Sequence, residues 1–456
     1  VNNKALLGAS AAVLVALGGL TGTAIYLLKK RGSTHTVTLS RLPAESVVVV
    51  RGQMAPLRSF GPAQALQRFL TGTTPTQGPD VTREAREAYR GLVQACGFDP
   101  WDNAQAFSFG VDRAATEARN ASAMVLYADG RFTEAQARRC AEYVLGRTQQ
   151  ALRAQEVDGR TVYAVTRAGA EPDARAPALW FRDNVVMLTE RPFVQTALGL
   201  ASGSVPGLRD DAPVAQMLGV LGGANVLEVA GDVAQLRRQN PQSAGEFVDG
   251  LVRDNPAQPN LTLAREVQTV GFSMQVAGGG VSMRLRFALP QEAQAAAFGA
   301  ALQGALVARR GEMLRVLEEG QSQLRAAQLV VSLTAPEMRQ RIDEVDAGIT
   351  TARQVIEAVQ ATAEARHAVV SLNIAPPQVQ SLERAARAAS DVAQLMMRDA
   401  PRRRFPVGMP GDEAERAPVR LPGPGLALPG LDLPPPGAAA AATDAGAVQS
   451  ADAAAR

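Results

Sequence analysis

Twenty-four consecutive uncharged residues, Ala5 to Leu28, read ALLGASAAVLVALGGLTGTAIYLL. As a helix such a run is about 36 Å long, enough to cross a hydrocarbon core of about 30 Å. A segment of this kind satisfies its backbone internally in lipid, and everything after it must build its own core. Lys4 precedes the run and Lys29-Lys30-Arg31 ends it. A cleaved signal peptide is the competing reading, because Gly22-Thr23-Ala24 offers a small-residue cleavage site. Apolar character continues past that site through Ile25, Tyr26, Leu27 and Leu28, which favours an uncleaved, single-pass transmembrane helix within residues 1–31. Gly18 and Gly22 form a G-x-x-x-G, continued by Gly8, Ala12 and Ala16. Such a face lets two helices approach closely, so a homodimer through the anchor is one expectation. The plain alternative is that glycine and alanine are simply abundant in this chain.

The net charge of +3 comes from the flanks of that segment. Lys4, Lys29, Lys30 and Arg31 are four of the 47 basic residues, and the first 31 residues contain no acid. Residues 32–456 therefore carry 43 basic against 44 acidic side chains. Nucleic-acid binding through a basic face loses its support, and an aromatic content of 4% gives no stacking platform. Three basic residues after the anchor against Lys4 before it would leave the bulk in the cytoplasm.

The cysteines argue the other way. Cys96 and Cys140 are the only two. Each lies on the apolar face of a predicted helix, and the two helices flank one hairpin. Helices joined through a hairpin return to the same sheet face, so the thiols can meet and form a disulfide in an oxidising compartment. Two small buried thiols that never bond are the alternative. The disulfide reading places the protein in the inner membrane with its bulk in the periplasm, against the positive-inside count.

Beyond the anchor the pattern predicts an α+β protein of two loosely repeated units, over 36–205 and 213–400. In the first, Ser46–Val50 is a strand and Asp80 opens a helix with Ala85, Tyr89, Leu92, Val93 and Cys96 on its apolar face. Ala106–Val111 and Ser122–Tyr127 pair, and Thr133 with Gln136 makes a capping box. Strands follow over Arg160–Val165, Leu179–Arg182 and Val185–Thr189, the last two joined by Asp183-Asn184. A helix follows to Leu200.

The second unit repeats strand, helices, hairpin and long helix, with the hairpin turning at Gly278-Gly279-Gly280. Each unit is expected to be a sheet with helices on one face. Val330-Val331-Ser332-Leu333 recurs as Val369-Val370-Ser371-Leu372, and both copies are expected as strands leading into helices. Met338, Ile342, Val345, Ile349, Ala352, Ile356 and Val359 alternate spacings of four and three. That stripe suits a coiled coil or, as the expectation adopted, a helix packed on its own sheet. Residues 401–456 are a Pro- and then Ala-rich tail that cannot bury a core and is expected to be disordered.

The standard catalytic constellations are missing. There is no Walker A, G-x-S-x-G or H-E-x-x-H sequence. The only lysines flank the anchor, which excludes a lysine nucleophile in the folded part. Two histidines, His35 and His367, leave no multi-histidine metal site. Asp99 and Asp102 could pair for acid–base work or calcium, but a helix-to-strand turn needs the same residue types. No catalytic, metal-binding or cofactor-binding residue is assigned.

The anchor followed by Leu42-Pro43-Ala44-Glu45-Ser46 and a valine strand resembles uncharacterised bacterial membrane-anchored envelope proteins. There a Leu-Pro-Ala-Asp-Thr-like turn starts an exported α+β domain. Cys96-Gly97-Phe98-Asp99-Pro100 is similar to a C-G-x-D-P loop of related proteins, with Gly130-Arg131-Phe132 and Cys140 downstream. The resemblance covers residues 36–200 and implies a location and a fold type, with no catalytic residues to carry over. The expectation is a non-enzymatic envelope binding or scaffold protein with envelope protein or lipid partners besides the bilayer itself. The alternative is an envelope hydrolase whose site is assembled from residues distant in sequence. A polar cleft with converging carboxylates would favour the hydrolase, and an apolar groove would favour binding.

Overall fold

The computed structural model describes residues 39–399, apart from 59, 61–62, 65–66, 68–70, 72–79, 114–123, 175, 223–224, 240 and 335. The expected anchor with Gly18 and Gly22, His35, and the expected tail lie outside the described residues. Among the described residues no helix is long and apolar enough to cross a membrane.

Consecutive valines give a strand two apolar faces, and such a strand must be covered on both. β1 (Ser46–Gln53) accordingly lies in the interior of a sheet. The first unit adds β2 (Ala104–Asp112), β3 (Met124–Gly130), β4 (Gln150–Val157), β5 (Arg160–Arg167), β6 (Pro177–Arg182) and β7 (Val185–Glu190). The second adds β8 (Leu227–Asp232), β9 (Thr269–Ala277), β10 (Gly280–Ala288), β11 (Gln360–Glu364) and β12 (His367–Ile374). Among the described residues these twelve strands form one sheet, in the order β11-β12-β10-β9-β8-β1-β2-β3-β7-β6-β5-β4. Neighbouring strands are antiparallel throughout. The two units are therefore joined edge to edge through β1 and β8 rather than being two sheets. Each runs three successive strands outward and then folds a later hairpin back, so that β7 and β12 lie inside β6 and β11. The first unit carries one further hairpin, β4–β5, at its rim.

Helices cover both faces, not one as expected. α1 (Asp80–Cys96) and α2 (Glu134–Gly146) belong to one face of the first unit, while α3 (Val194–Ser202) and α4 (Pro213–Leu221) cover the other. Under α3 and α4 lie Val49, Val125, Tyr127, Met187 and Ala230, all fully buried. The Tyr127 hydroxyl donates to the Ala197 carbonyl at 2.7 Å, and burial pushes its pKa up. On the α1/α2 face, cross-strand partners form a continuous apolar row: Leu179, Leu188, Leu126, Phe109, Val50, Val229, Phe272, Leu285 and Val370. Each is only half-buried.

α5 (Val233–Gln239) and α6 (Pro241–Arg253) follow β8. α7 (Glu292–Thr334) is 43 residues long, about 65 Å as a helix. It starts against β11 and β12 and pairs further on with α8 (Pro336–Glu357), which packs on α9 (Pro376–Asp399). The stripe of α8 thus faces helices, with Met338 and Ile342 buried, and not its own sheet. Gly348 permits this close approach, since a Cβ there would meet Ala385 Cβ at 2.0 Å.

The expected strand at Val330–Leu333 is the end of α7. Helix propagation adds a hydrogen bond per residue once a nucleus exists, and no strand flanks this copy. The second copy sits in β12 with β10 and β11 on either side.

Candidate functional site: an apolar cavity beneath two cross-linked helices

Thr133 and Gln136 cap α2 reciprocally, as the sequence predicts: Gln136 N donates to Thr133 Oγ1 at 3.3 Å and Thr133 N donates to Gln136 Oε1 at 2.9 Å. α2 then crosses the sheet face with Ala137, Cys140, Ala141, Val144 and Leu145 toward it. These positions follow i, i+3, i+4, i+7 and i+8, one helical stripe. Cys140 is bonded to Cys96 at the end of α1, with a Cα–Cα distance of 4.3 Å. Gly91 brings the two helices together, because a Cβ there would lie 2.1 Å from the Tyr143 hydroxyl.

Between these helices and the sheet lies a cavity of about 370 Å³. Its floor is Leu126 and Ala128 of β3, Val186 and Leu188 of β7, Leu179 and Phe181 of β6, and Val165 of β5. One end is walled by Leu92, Pro100, Ala104 and the stacked rings of Phe98 and Phe132, 5.9 Å apart. The other end reaches Leu145, Pro177 and Gln150 on the edge strand β4. Among the described residues, Gln150 is the one polar, non-cysteine side chain in the lining. Space exists because Ala104, Ala128, Ala137 and Ala141 stand where larger residues would fill it. Sealed and empty, 370 Å³ would cost on the order of 9 kcal/mol at about 24 cal/mol per Å³. That approaches the whole stability of a domain, about 5–15 kcal/mol.

The carboxylates weighed from sequence are not brought into a site. Asp99 caps a one-turn helix, Pro100–Asn103, by accepting from Trp101 N at 2.8 Å, and it also accepts from the Tyr89 hydroxyl. Burial first, and that hydrogen bond second, push the Tyr89 pKa up. Asp102 accepts from Gln67 at 3.3 Å. Arg51 and Glu228 pair across β1 and β8, and Asn225 donates to the second Glu228 oxygen at 2.8 Å. This polar contact occupies the junction of the units. Among the described residues no group of three or more His, Cys, Asp or Glu could hold a metal ion. The disulfide was readable from the helical position of each cysteine. The cavity was not, because it depends on small residues spread over two strands and a helix and on β4, whose polar sequence carries no strand signal.

No protein-family model matches the sequence, and no curated protein matches it. Among solved structures the chain is similar to three crystal forms of TP0453. Forms I and III are 8% identical with TM-scores of 0.33 and 0.34, and form IV is 9% identical at 0.33. Each alignment covers 77% of this chain and 95–99% of the other. A likeness this weak is no guide to ligand or activity.

Proposed function

We propose that this chain is a membrane-anchored binding protein of the bacterial envelope, not an enzyme, and that the cavity beneath α1 and α2 takes an apolar ligand. The observation that carries the reading is the cavity lining: among the described residues, apolar side chains on every wall and no carboxylate. A hydrolase would need polar groups converging on a reacting centre, and here the polar groups of the turn are spent on helix capping. Its volume falls within the range of about 300–1,000 Å³ typical of small-molecule sites. Placement in the envelope is supported by the uncharged run Ala5–Leu28 and by the Cys96–Cys140 bond, which suits an oxidising compartment.

The test is binding of the neutral apolar dye N-phenyl-1-naphthylamine to the full-length protein in lipid nanodiscs. Energy transfer from the two tryptophans, Trp101 next to the lining residue Pro100 and Trp180 between the lining residues Leu179 and Phe181, separates dye in the cavity from dye in lipid. Saturable transfer that disappears in Ala141→Leu is the expected result. No saturable transfer, or equal transfer in the variant, rejects the reading.

A further inference from the structure

We infer that the ligand is a single long acyl chain ending in an anionic head group, with the chain along the cavity and the head at Arg167 and Gln150. This rests on the cavity being a ligand site. The floor runs across five neighbouring strands, from Leu126 on β3 to Gln150 on β4. Four inter-strand spacings make about 19 Å, so the site is long, and it is closed at one end by Phe98 and Phe132. A peptide would bring backbone groups that this lining cannot hydrogen-bond, each a desolvation penalty. A hydrocarbon chain brings none.

The polar end is at the sheet edge. Gln150 lies opposite Arg167 in the β4–β5 register, and Arg167 follows the lining residue Val165 by two, on the same face. Arg167 is exposed and makes no ion pair among the described residues. Of the nearby carboxylates, Glu171 is held by Arg153 at 2.5 Å, and Glu190 lies two strands away, opposite Pro177. Of the other cations near this end, Arg147 donates to the Tyr143 hydroxyl at 3.4 Å and Arg191 donates to the Pro172 carbonyl at 3.2 Å. A guanidinium without an ion pair at the open end of an apolar slot matches a carboxylate or phosphate. The bilayer is a near source. Residues 32–38 are seven residues between the predicted anchor segment and the first described residue, spanning at most about 25 Å.

The experiment is displacement of N-phenyl-1-naphthylamine from the full-length protein in nanodiscs by ligands of equal chain length. Palmitate and palmitoyl lysophosphatidylglycerol are compared with hexadecanol. The anionic ligands are expected to displace the dye at concentrations about tenfold lower than the alcohol, the worth of one charge-assisted hydrogen bond. The better of the two identifies the source as free fatty acid or phospholipid. Arg167→Gln should erase the difference without changing dye affinity, and Arg167→Lys should keep most of it. Equal displacement by all three, or no effect of Arg167→Gln, overturns the anionic head. Failure of every acyl ligand while the dye still binds and Ala141→Leu still abolishes it overturns the acyl chain alone. Only loss of dye binding itself reaches the underlying cavity reading.

Discussion

In the second unit α7 leaves β10, crosses β11 and β12, and drives Phe298 edge-on into Phe287, ring centroids 5.6 Å apart. Ala295, Phe298 and Ala301 are buried there with Leu261, Leu289 and Ala368. In the first unit α2 leaves β3 and crosses the corresponding strands, but it presents Ala137, Ala141 and Val144 over a floor that stays open. Both helices occupy the same place in chain order and cover the same sheet face. The filled unit shows that this topology does not require a hollow. The first unit differs in three ways: no aromatic side chain on the sheet-facing stripe of its helix to match Phe298 of α7, a disulfide holding that helix to α1, and the extra hairpin β4–β5 that lengthens the floor.

The comparison breaks most visibly where packing is complete. Phe298→Ala should destabilise the fold by about 3–5 kcal/mol, measured by denaturant unfolding; a loss below about 1 kcal/mol would mean the second unit is as loose as the first. Next comes the cross-link. Its two cysteines are 44 residues apart, for which loop-closure entropy gives about 4 kcal/mol, with about 2–4 typical in practice. Cys96→Ser with Cys140→Ser should lose that much and also weaken dye binding, because Cys140 is part of the wall. A double variant of unchanged stability would show that the bond contributes nothing in the native protein.

A matched pair then tests the difference by sign. Ala301→Leu in the filled unit should destabilise by about 1–3 kcal/mol through overpacking. Ala141→Leu in the hollow unit should stabilise by about 1–2 kcal/mol, by burying apolar atoms in open space. Loss of stability in both would mean that the cavity is not open to a side chain.

The smallest effect concerns His367, beside the Arg286–Glu364 pair, whose separation is 2.6 Å. Its pKa is lowered, by burial first and by the Arg286 guanidinium second. The fold therefore favours neutral imidazole, while the unfolded chain takes up its proton near about pH 6.5. This contribution is whole above that pH and declines as pH falls through it. His367→Asn should flatten a shallow slope in stability between about pH 7 and 5.5, and an unchanged slope would exclude His367 as its origin.

What the sequence made readable follows the same division. Interior strands announce themselves: Ser46–Val50 is where its unbroken valines put it, and the Gly278–Gly280 hairpin where its turn residues put it. Both edge strands escape notice. β4, QALRAQEV, and β11, QATAE, are largely exposed, and polar edges are what keeps a sheet from recruiting further strands. α4, PVAQMLGVL, is so uniformly apolar that it shows no helical period, yet Met217 packs over Gly271 of β9. The repeated Val-Val-Ser-Leu is strand or helix according to its neighbours and not its own residues. The Cys96–Cys140 pairing was legible from the helical face of each cysteine together with the hairpin that joins their helices. The cavity was not, since emptiness is a relation among Ala104, Ala128, Ala137 and Ala141 that no local pattern encodes, and its polar mouth depends on a register between β4 and β5.

Native mass spectrometry of the protein purified from its own cells reads occupancy of the hollow unit directly. Wild-type protein should carry one non-covalent ligand per chain, and Ala141→Leu, folded and at least as stable, should carry none. The same adduct on both, or none on the wild type, would contradict it.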